Sequence, residues 1–148
     1  MTRVIRRRLA LQGTLAFAAA PFVQPVRACE YYAPNFTLVH PWTRASRPGA
    51  TTAQVCMSFK DVSAGDRLVG VQTPVAEGAE LAGPGVGPQL DLAIAAGQTL
   101  ELTERGVHLR LVGLQFPLEV ARTYPMTLLF EQAGELRTTL NVDYARFA

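Results

Sequence analysis

The sequence predicts an all-β domain, arranged as an antiparallel sandwich or barrel. From Phe36 onward, short segments of alternating apolar and polar residues are separated by turns rich in Pro and Gly. Beyond residue 28, no stretch of about ten residues has the apolar spacing of an amphipathic helix. Short strands with turn signals between them are typical of antiparallel sandwiches and barrels. The sequence shows no internal repeat and no linker, which indicates a single domain.

The expected strands follow in chain order. The first is interrupted by Pro41, whose missing N–H suits an edge strand or a bend. Residues 75–88 are expected to form a loop, because four glycines and two prolines disfavour regular structure, and only residues 79–81 are expected to pair. The last two segments are expected to form a hairpin. The predicted strands are residues 36–44, 51–59, 67–73, 90–94, 98–102, 106–114, 126–131 and 135–142.

Residues 1–28 are predicted to be an export signal, which leaves residues 29–148 as the mature domain. The segment begins with a cationic stretch, continues with an apolar core at 9–22 that is too short for a stable membrane span, and ends in small residues around Ala28. Both Sec and twin-arginine export fit this segment. A lipoprotein, with Cys29 acylated as its first residue, is an alternative that Arg27 disfavours. The protein is therefore expected in the periplasm or secreted, with no membrane span after signal removal.

Charge excludes one class of partner. Five of the 14 basic residues and none of the 12 acidic residues lie in the predicted signal, so the mature domain has nine basic residues and a net charge of −3. The basic pI of the full chain is therefore due to the signal. A nucleic-acid partner has no electrostatic support.

The two cysteines, Cys29 and Cys56, are predicted to form a disulfide. An even pair in an exported protein favours a bridge, which would fasten the N-terminus to the sheet. The competing interpretation makes both thiols metal ligands, but no CxxC or Cys-plus-His spacing supports it.

The segment 106–114 is the clearest strand and contains His108, one of two histidines. Successive side chains of a strand point to opposite faces. His108 and Arg110 are therefore expected on one face, with Val107, Leu109 and Leu111 on the other. An imidazole and a guanidinium both donate hydrogen bonds, so this face would suit an anion. A lone strand histidine with a purely structural role is the plainer alternative.

A series of motifs in fixed order extends from Phe36 to Val142. It comprises His40-Pro41-Trp42-Thr43-Arg44-Ala45, Pro48-Gly49-Ala50, Asp66-Arg67-Leu68-Val69-Gly70, Ala79-Glu80-Leu81, Ala96-Gly97, Gly106-Val107-His108-Leu109, Gly113-Leu114, Pro117-Leu118 and Leu128-Leu129-Phe130-Glu131. In this order they resemble the periplasmic PCu(A)C-type (PCuAC) copper chaperones. The resemblance implies a cupredoxin-like β-sandwich of Greek-key type. It also implies a role in carrying copper, chiefly Cu(I), towards the CuA centre of cytochrome c oxidase.

The copper ligands that the resemblance implies are mostly replaced. The family has a histidine just after the Glu-Leu pair, methionine in the following loop, and His-x-Met on the central strand. Here Ala82 takes the place of the first histidine, residues 83–89 contain no methionine, and Arg110 takes the place of the strand methionine. Cu(I) prefers thioether, thiolate or imidazole donors. Arginine stays protonated and offers no lone pair, so only His108 remains as a ligand.

Two functions follow as hypotheses. The first is a metallochaperone that retains His108 and recruits other donors, with His40, the methionines Met57 and Met126, or reduced cysteines as candidates, and with the CuA assembly proteins as partners. The second is a metal-free interaction module that binds a protein or an anion through the His108–Arg110 face. Catalysis is not expected, because no hydrolase, zinc-protease, phosphate-loop or haem-attachment motif occurs.

Overall fold

Residues 29–143 are described by a computed structural model, and within this range the chain forms ten strands and no helix. The predicted signal, residues 1–28, lies outside the described residues, so the boundary at residue 28 stays a prediction. The strands are β1 (Glu30–Tyr32), β2 (Thr37–Arg44), β3 (Thr52–Lys60), β4 (Asp66–Gln72), β5 (Ala76–Ala82), β6 (Leu92–Ile94), β7 (Leu100–Leu102), β8 (His108–Leu114), β9 (Thr123–Phe130) and β10 (Gly134–Asp143).

The ten strands form one sheet that curves until it nearly closes. Its order is β5-β8-β3-β2-β10-β9-β4-β6, with β1 added to β2 and β7 added to β3. The two ends of the sheet approach each other: β4, which is next to the end strand β6, also contacts β5 at the other end. All neighbouring strands are antiparallel except β2 and β10, which run parallel. The all-β prediction is therefore confirmed, and the parallel pair is a feature that the sequence did not indicate.

Alternation along the strands places the core on the concave side of the sheet. Val55, Phe59, Leu109 and Leu111 are fully buried there. Phe36, Phe59 and Phe130 form an aromatic cluster with ring centroids 4.7–6.1 Å apart. Edge-to-face and tilted rings add about 1 kcal/mol per pair beyond area burial. This core fixes β8 against β3, so the opposite faces of these two strands also have a defined position.

A second fixed point is the first residue of β4, Asp66, which is 5% exposed. It accepts hydrogen bonds from the backbone amides of Arg67, Gln132 and Ala133 at 2.8–3.0 Å and from Asn35 Nδ2 at 3.0 Å. Burial alone would raise the pKa of Asp66, but these four hydrogen bonds outweigh it and lower the pKa below the usual value. We refer to Asn35, Asp66, Gln132 and Ala133 as the Asp66 corner. It ties the start of β4 to the β9–β10 turn.

Strand β5 is longer than the sequence indicated. Residues 79–81 were expected to pair, and the structure pairs Ala76–Ala82 with β8 along its whole length, from Ala76 opposite Leu114 to Ala82 opposite His108. Gly78 does not interrupt the strand and pairs with Val112, where a Cβ would make only an ordinary contact with the Val112 side chain. The loop begins only at Gly83.

The predicted disulfide between Cys29 and Cys56 is not present: both are free thiols in the structure, one exposed and one buried. Cys29 precedes β1, which pairs with one edge of β2, while Cys56 lies on β3, which pairs with the other edge. Two strands on opposite edges of a third are about 9.5 Å apart. A disulfide needs Cα atoms within about 7 Å of each other, so strand β2 keeps the two cysteines apart.

Candidate metal centre

The outward face of β5 and β8 contains the residues that the resemblance assigned to copper binding. Antiparallel pairing places Ala82 directly opposite His108 and Glu80 directly opposite Arg110. Leu109 points into the core, so its neighbours His108 and Arg110 point to the other side. We refer to Glu80, Ala82, His108 and Arg110 as the His108 face. These four residues are therefore brought together. Strand alternation predicted His108 and Arg110 on one face, and the resemblance implied Ala82 beside them, whereas Glu80 was not expected at this face.

His108 is held in one orientation. Its side chain is buried, with 6% of the residue exposed, and Nδ1 lies 3.0 Å from the carbonyl oxygen of Gly106. A carbonyl oxygen only accepts, so Nδ1 carries the proton and donates it. In a neutral ring Nε2 then has a free lone pair, and nothing else within residues 29–143 hydrogen-bonds to this side chain. A backbone carbonyl that fixes the tautomer in this way is common among metal-binding histidines.

The loop after β5 lies against the segment that precedes His108. Gly83 has φ +119, and a Cβ at this position would overlap the Gly106 carbonyl oxygen and the Val107 Cα. Only glycine allows this close approach without a shift of the backbone. The loop is therefore packed beside the Gly106 carbonyl that orients His108.

Arg110 is neutralised by its cross-strand neighbour. Arg110 Nε donates to Glu80 Oε1 at 2.7 Å, and Nη2 donates to the same oxygen. The guanidinium therefore contributes a paired positive charge where the family has a thioether. This pair offers a Cu(I) ion no soft donor, and the carboxylate that could attract the cation is already engaged.

Four other candidate donors, Met57, Met126, His40 and Cys29, do not lie on the His108 face. Met57 and Met126 are buried in the core. His40 is at an irregularity of β2 with φ +48, and its Nε2 lies 3.3 Å from Asp143 Oδ2. Cys29 is exposed, with its Sγ 3.9 Å from Asn141 Oδ1. Within residues 29–143 no group of three or more His, Cys, Asp or Glu side chains could hold a metal ion.

Glu104 is a residue near the site that sequence reasoning missed. It lies in the five-residue turn between β7 and β8, and its carboxylate forms an ion pair with Arg44, whose guanidinium is 6.0 Å from the centre of the Trp42 ring. Hydrogen bonding to Arg44 lowers the pKa of Glu104. Sixty residues separate the partners. No local signal in the sequence could have indicated this pair.

The Cys56 thiol is buried beside this ion pair. Burial raises its pKa to about 11, and the Glu104 carboxylate adds to the increase. The free thiol is therefore protonated near neutral pH, and in the absence of a metal it is a poor nucleophile.

A family model described as "Putative lipoprotein LpqE-like" matches residues 36–142. The chain belongs to the LpqE-like family. No curated protein matches this LpqE-like chain. Within residues 29–143 there is no helix that could cross a bilayer.

Solved structures that resemble the LpqE-like chain are PCuAC domains. The copper-bound PCuAC domain from PmoF2 superposes with a TM-score of 0.71 at 26% identity, covering 78% of this chain and 98% of that domain. The solution structure of Cu(I)-DR1885 from Deinococcus radiodurans gives a TM-score of 0.62 at 27% identity, covering 74% of this chain and 78% of that one. The resemblance to PCuAC copper chaperones and the cupredoxin-like β fold are confirmed.

Proposed function

We propose that this LpqE-like chain is an exported copper-carrying protein that holds Cu(I) through His108 and transfers it to a partner in assembly of the CuA centre of cytochrome c oxidase. It would act as a carrier and not as an enzyme. The proposal is supported by the copper-bound PCuAC structures that the chain resembles. One observation of this chain carries it: His108 is buried and oriented, and its Nε2 has no hydrogen-bond partner among the described residues.

The donor set fits copper only in part. Imidazole is a good ligand for copper, and the hydrogen bond from Nδ1 to Gly106 makes Nε2 the coordinating atom. At Ala82 and Arg110 the family's donors are missing. A site built on fewer donors binds its metal more weakly, and a weakly held ion is more easily passed to a partner.

Export is the second part of the proposal. Residues 1–28 would be the signal, and the domain from residue 29 would reach the periplasm or the outside of the cell. The description of the family as a lipoprotein supports acylation of Cys29 as an alternative to simple signal cleavage. Cys29 is exposed and forms no disulfide, so its thiol is accessible for such a modification.

A competition titration tests copper binding directly. The protein produced from the full-length sequence would be titrated with Cu(I) against a chromophoric chelator, beside His108→Ala and His40→Ala. We expect one Cu(I) per chain and at least a tenfold loss of affinity in His108→Ala. His40→Ala is the matched control, because His40 pairs with Asp143 away from the His108 face, and it should bind like the parent. Equal binding by all three proteins would contradict the proposal.

A metal-free interaction module is the second candidate. The Glu80–Arg110 ion pair favours it, because a charge pair takes the place of a metal ligand. A cavity of about 330 Å³ near the ends of β2 and β3 is lined by Arg44, Arg47, Gln54 and Glu104 among others, and would receive a polar or anionic group of a partner. Failure of the folded protein to compete for Cu(I) would select this function.

A further inference from the structure

The missing copper donors raise the question of which side chain next to His108 could act with it. Strand β8 has β5 on one side and β3 on the other. On the β5 side the cross-strand neighbour of His108 is Ala82, which has no donor atom. The neighbour on the β3 side therefore decides whether a second ligand is present.

Extending the register of β3 and β8 by one position places Cys56 there. The last ladder pair is Val55 opposite Leu109, so the next position of this antiparallel register sets Cys56 against His108. Val55 and Leu109 both face the core, so Cys56 and His108 both lie on the opposite side of the sheet, where both are buried. Directly opposed residues of antiparallel strands have Cβ atoms about 5 Å apart. A thiol and an imidazole at that spacing can reach one common ion.

Two further observations support this juxtaposition. The Glu104 carboxylate interacts electrostatically with both the Cys56 thiol and the His108 ring, so the two groups are near the same carboxylate. Trp42, which pairs with Cys56 from the β2 side, is half-buried, and cross-strand partners have their side chains on the same face of a sheet. An indole on that side of the thiol would limit the access of water to a metal site.

We propose that Cys56 and His108 together form a two-donor Cu(I) site, in which a thiolate takes the part of the family's missing thioether. This inference rests on the proposed copper-carrying function and names its second ligand. Thiolate sulfur and imidazole nitrogen are both ligands that suit Cu(I). Two donors suffice for Cu(I), so the absence of a three-ligand group among the described residues does not oppose this site.

Binding at this site exchanges a proton for the metal. The Cys56 thiol releases its proton to solvent as sulfur binds Cu(I), and copper stays in the same oxidation state. The bound thiolate and Cu(I) together are neutral, which suits the buried position of Cys56. A coordinated thiol loses its proton outright, so the protonated thiol of the free protein is compatible with the site.

The test is a Cu(I) competition titration of the full chain, Cys56→Ala and Cys29→Ser, combined with X-ray absorption of the copper-loaded proteins. We expect Cys56→Ala to bind at least tenfold more weakly. Cys29→Ser is the matched control, because its thiol lies on the far edge of β2, and it should keep both the affinity and the sulfur signal. The parent spectrum should contain one sulfur and one nitrogen donor. That spectrum tests the proposal even if Cys56→Ala does not fold.

The outcomes separate this inference from the proposed function. Two results would exclude Cys56 as a ligand and leave the copper-carrying function intact. One is copper bound to nitrogen and oxygen alone. The other is a Cys56→Ala variant that binds Cu(I) like the parent while His108→Ala loses it. No Cu(I) binding by the parent would overturn both. Loss of the sulfur signal in Cys29→Ser would show that Cys29, and not Cys56, supplies the sulfur ligand. It would also overturn the inference.

Discussion

The Asp66 corner and the His108 face both come from motifs that the chain shares with PCuAC proteins, but they differ in what their residues contact. In the Asp66 corner, the carboxylate accepts from the backbone amide of the next residue, Arg67, and from three groups elsewhere in the fold: the backbone amides of Gln132 and Ala133 and the Asn35 side chain. On the His108 face, Glu80 and Arg110 bond to each other, and Ala82 makes no polar contact through its side chain.

This difference separates a residue that the fold needs from residues that the fold tolerates. Replacing Asp66 would leave the partly buried backbone amides of Gln132 and Ala133 without acceptors. An unsatisfied buried group costs about 1–3 kcal/mol, and partial exposure to water lowers that cost. Strands β5 and β8 are held by their backbone ladder and by Leu109 and Leu111 on the core side. Their outward side chains can therefore change without loss of the sheet. A scaffold can keep its shape while its metal donors change.

The largest expected effect is on the Asp66 corner. We expect Asp66→Ala to lower the free energy of unfolding by about 3 kcal/mol or more, because the amides of Gln132 and Ala133 and the Asn35 side chain lose their acceptor. Urea denaturation would measure it. Asp91→Ala is the control, because Asp91 forms an exposed pair with Arg67, and it should change stability little. Equal losses of stability in the two variants would contradict the conclusion that the fold depends on the Asp66 corner.

The sequence predicted the parts of this comparison that depend on local pattern. Alternation in residues 106–114 correctly put Leu109 and Leu111 on one face of the strand and His108 and Arg110 on the other, because successive side chains of a strand point to opposite faces. The all-β class and the family resemblance were likewise confirmed. The positions of Ala82 and Arg110 relative to His108 followed from the motif order.

Features that depend on which strands become neighbours could not be predicted. Counting cysteines suggested a disulfide, but β2 lies between Cys29 and Cys56. The length of β5 was underestimated, because its pairing with β8 overrides the weak strand preference of its glycine and alanine residues. The Arg44–Glu104 ion pair joins positions sixty residues apart, and the spacing of charges along a chain carries no information on such a contact.

The next effect concerns the His108 face. We expect Ala82→His with Arg110→Met to raise the Cu(I) affinity at least tenfold, about 1.4 kcal/mol, because an imidazole and a thioether would then flank His108. A competition titration would measure this gain. Ala82→Leu with Arg110→Leu is the matched control, which removes the guanidinium and adds no donor. A similar gain in the control would mean that removal of the positive charge, and not the new ligands, changed the affinity.

The smallest expected effect is the acid dependence that Asp66 gives to stability. Its pKa in the folded protein is lowered, whereas in the unfolded chain it is near 3.9. The stabilisation is therefore complete above about pH 4 and is lost as the pH falls from there through the lower folded pKa. We expect the difference in free energy of unfolding between the parent and Asp66→Asn to shrink over this window. Asp91 and Glu104 also have lowered pKa values, but both variants keep them, so their contributions cancel in the difference. Parallel stability curves from pH 6 to pH 2 would mean that hydrogen bonding at the Asp66 corner does not depend on the charge of the carboxylate.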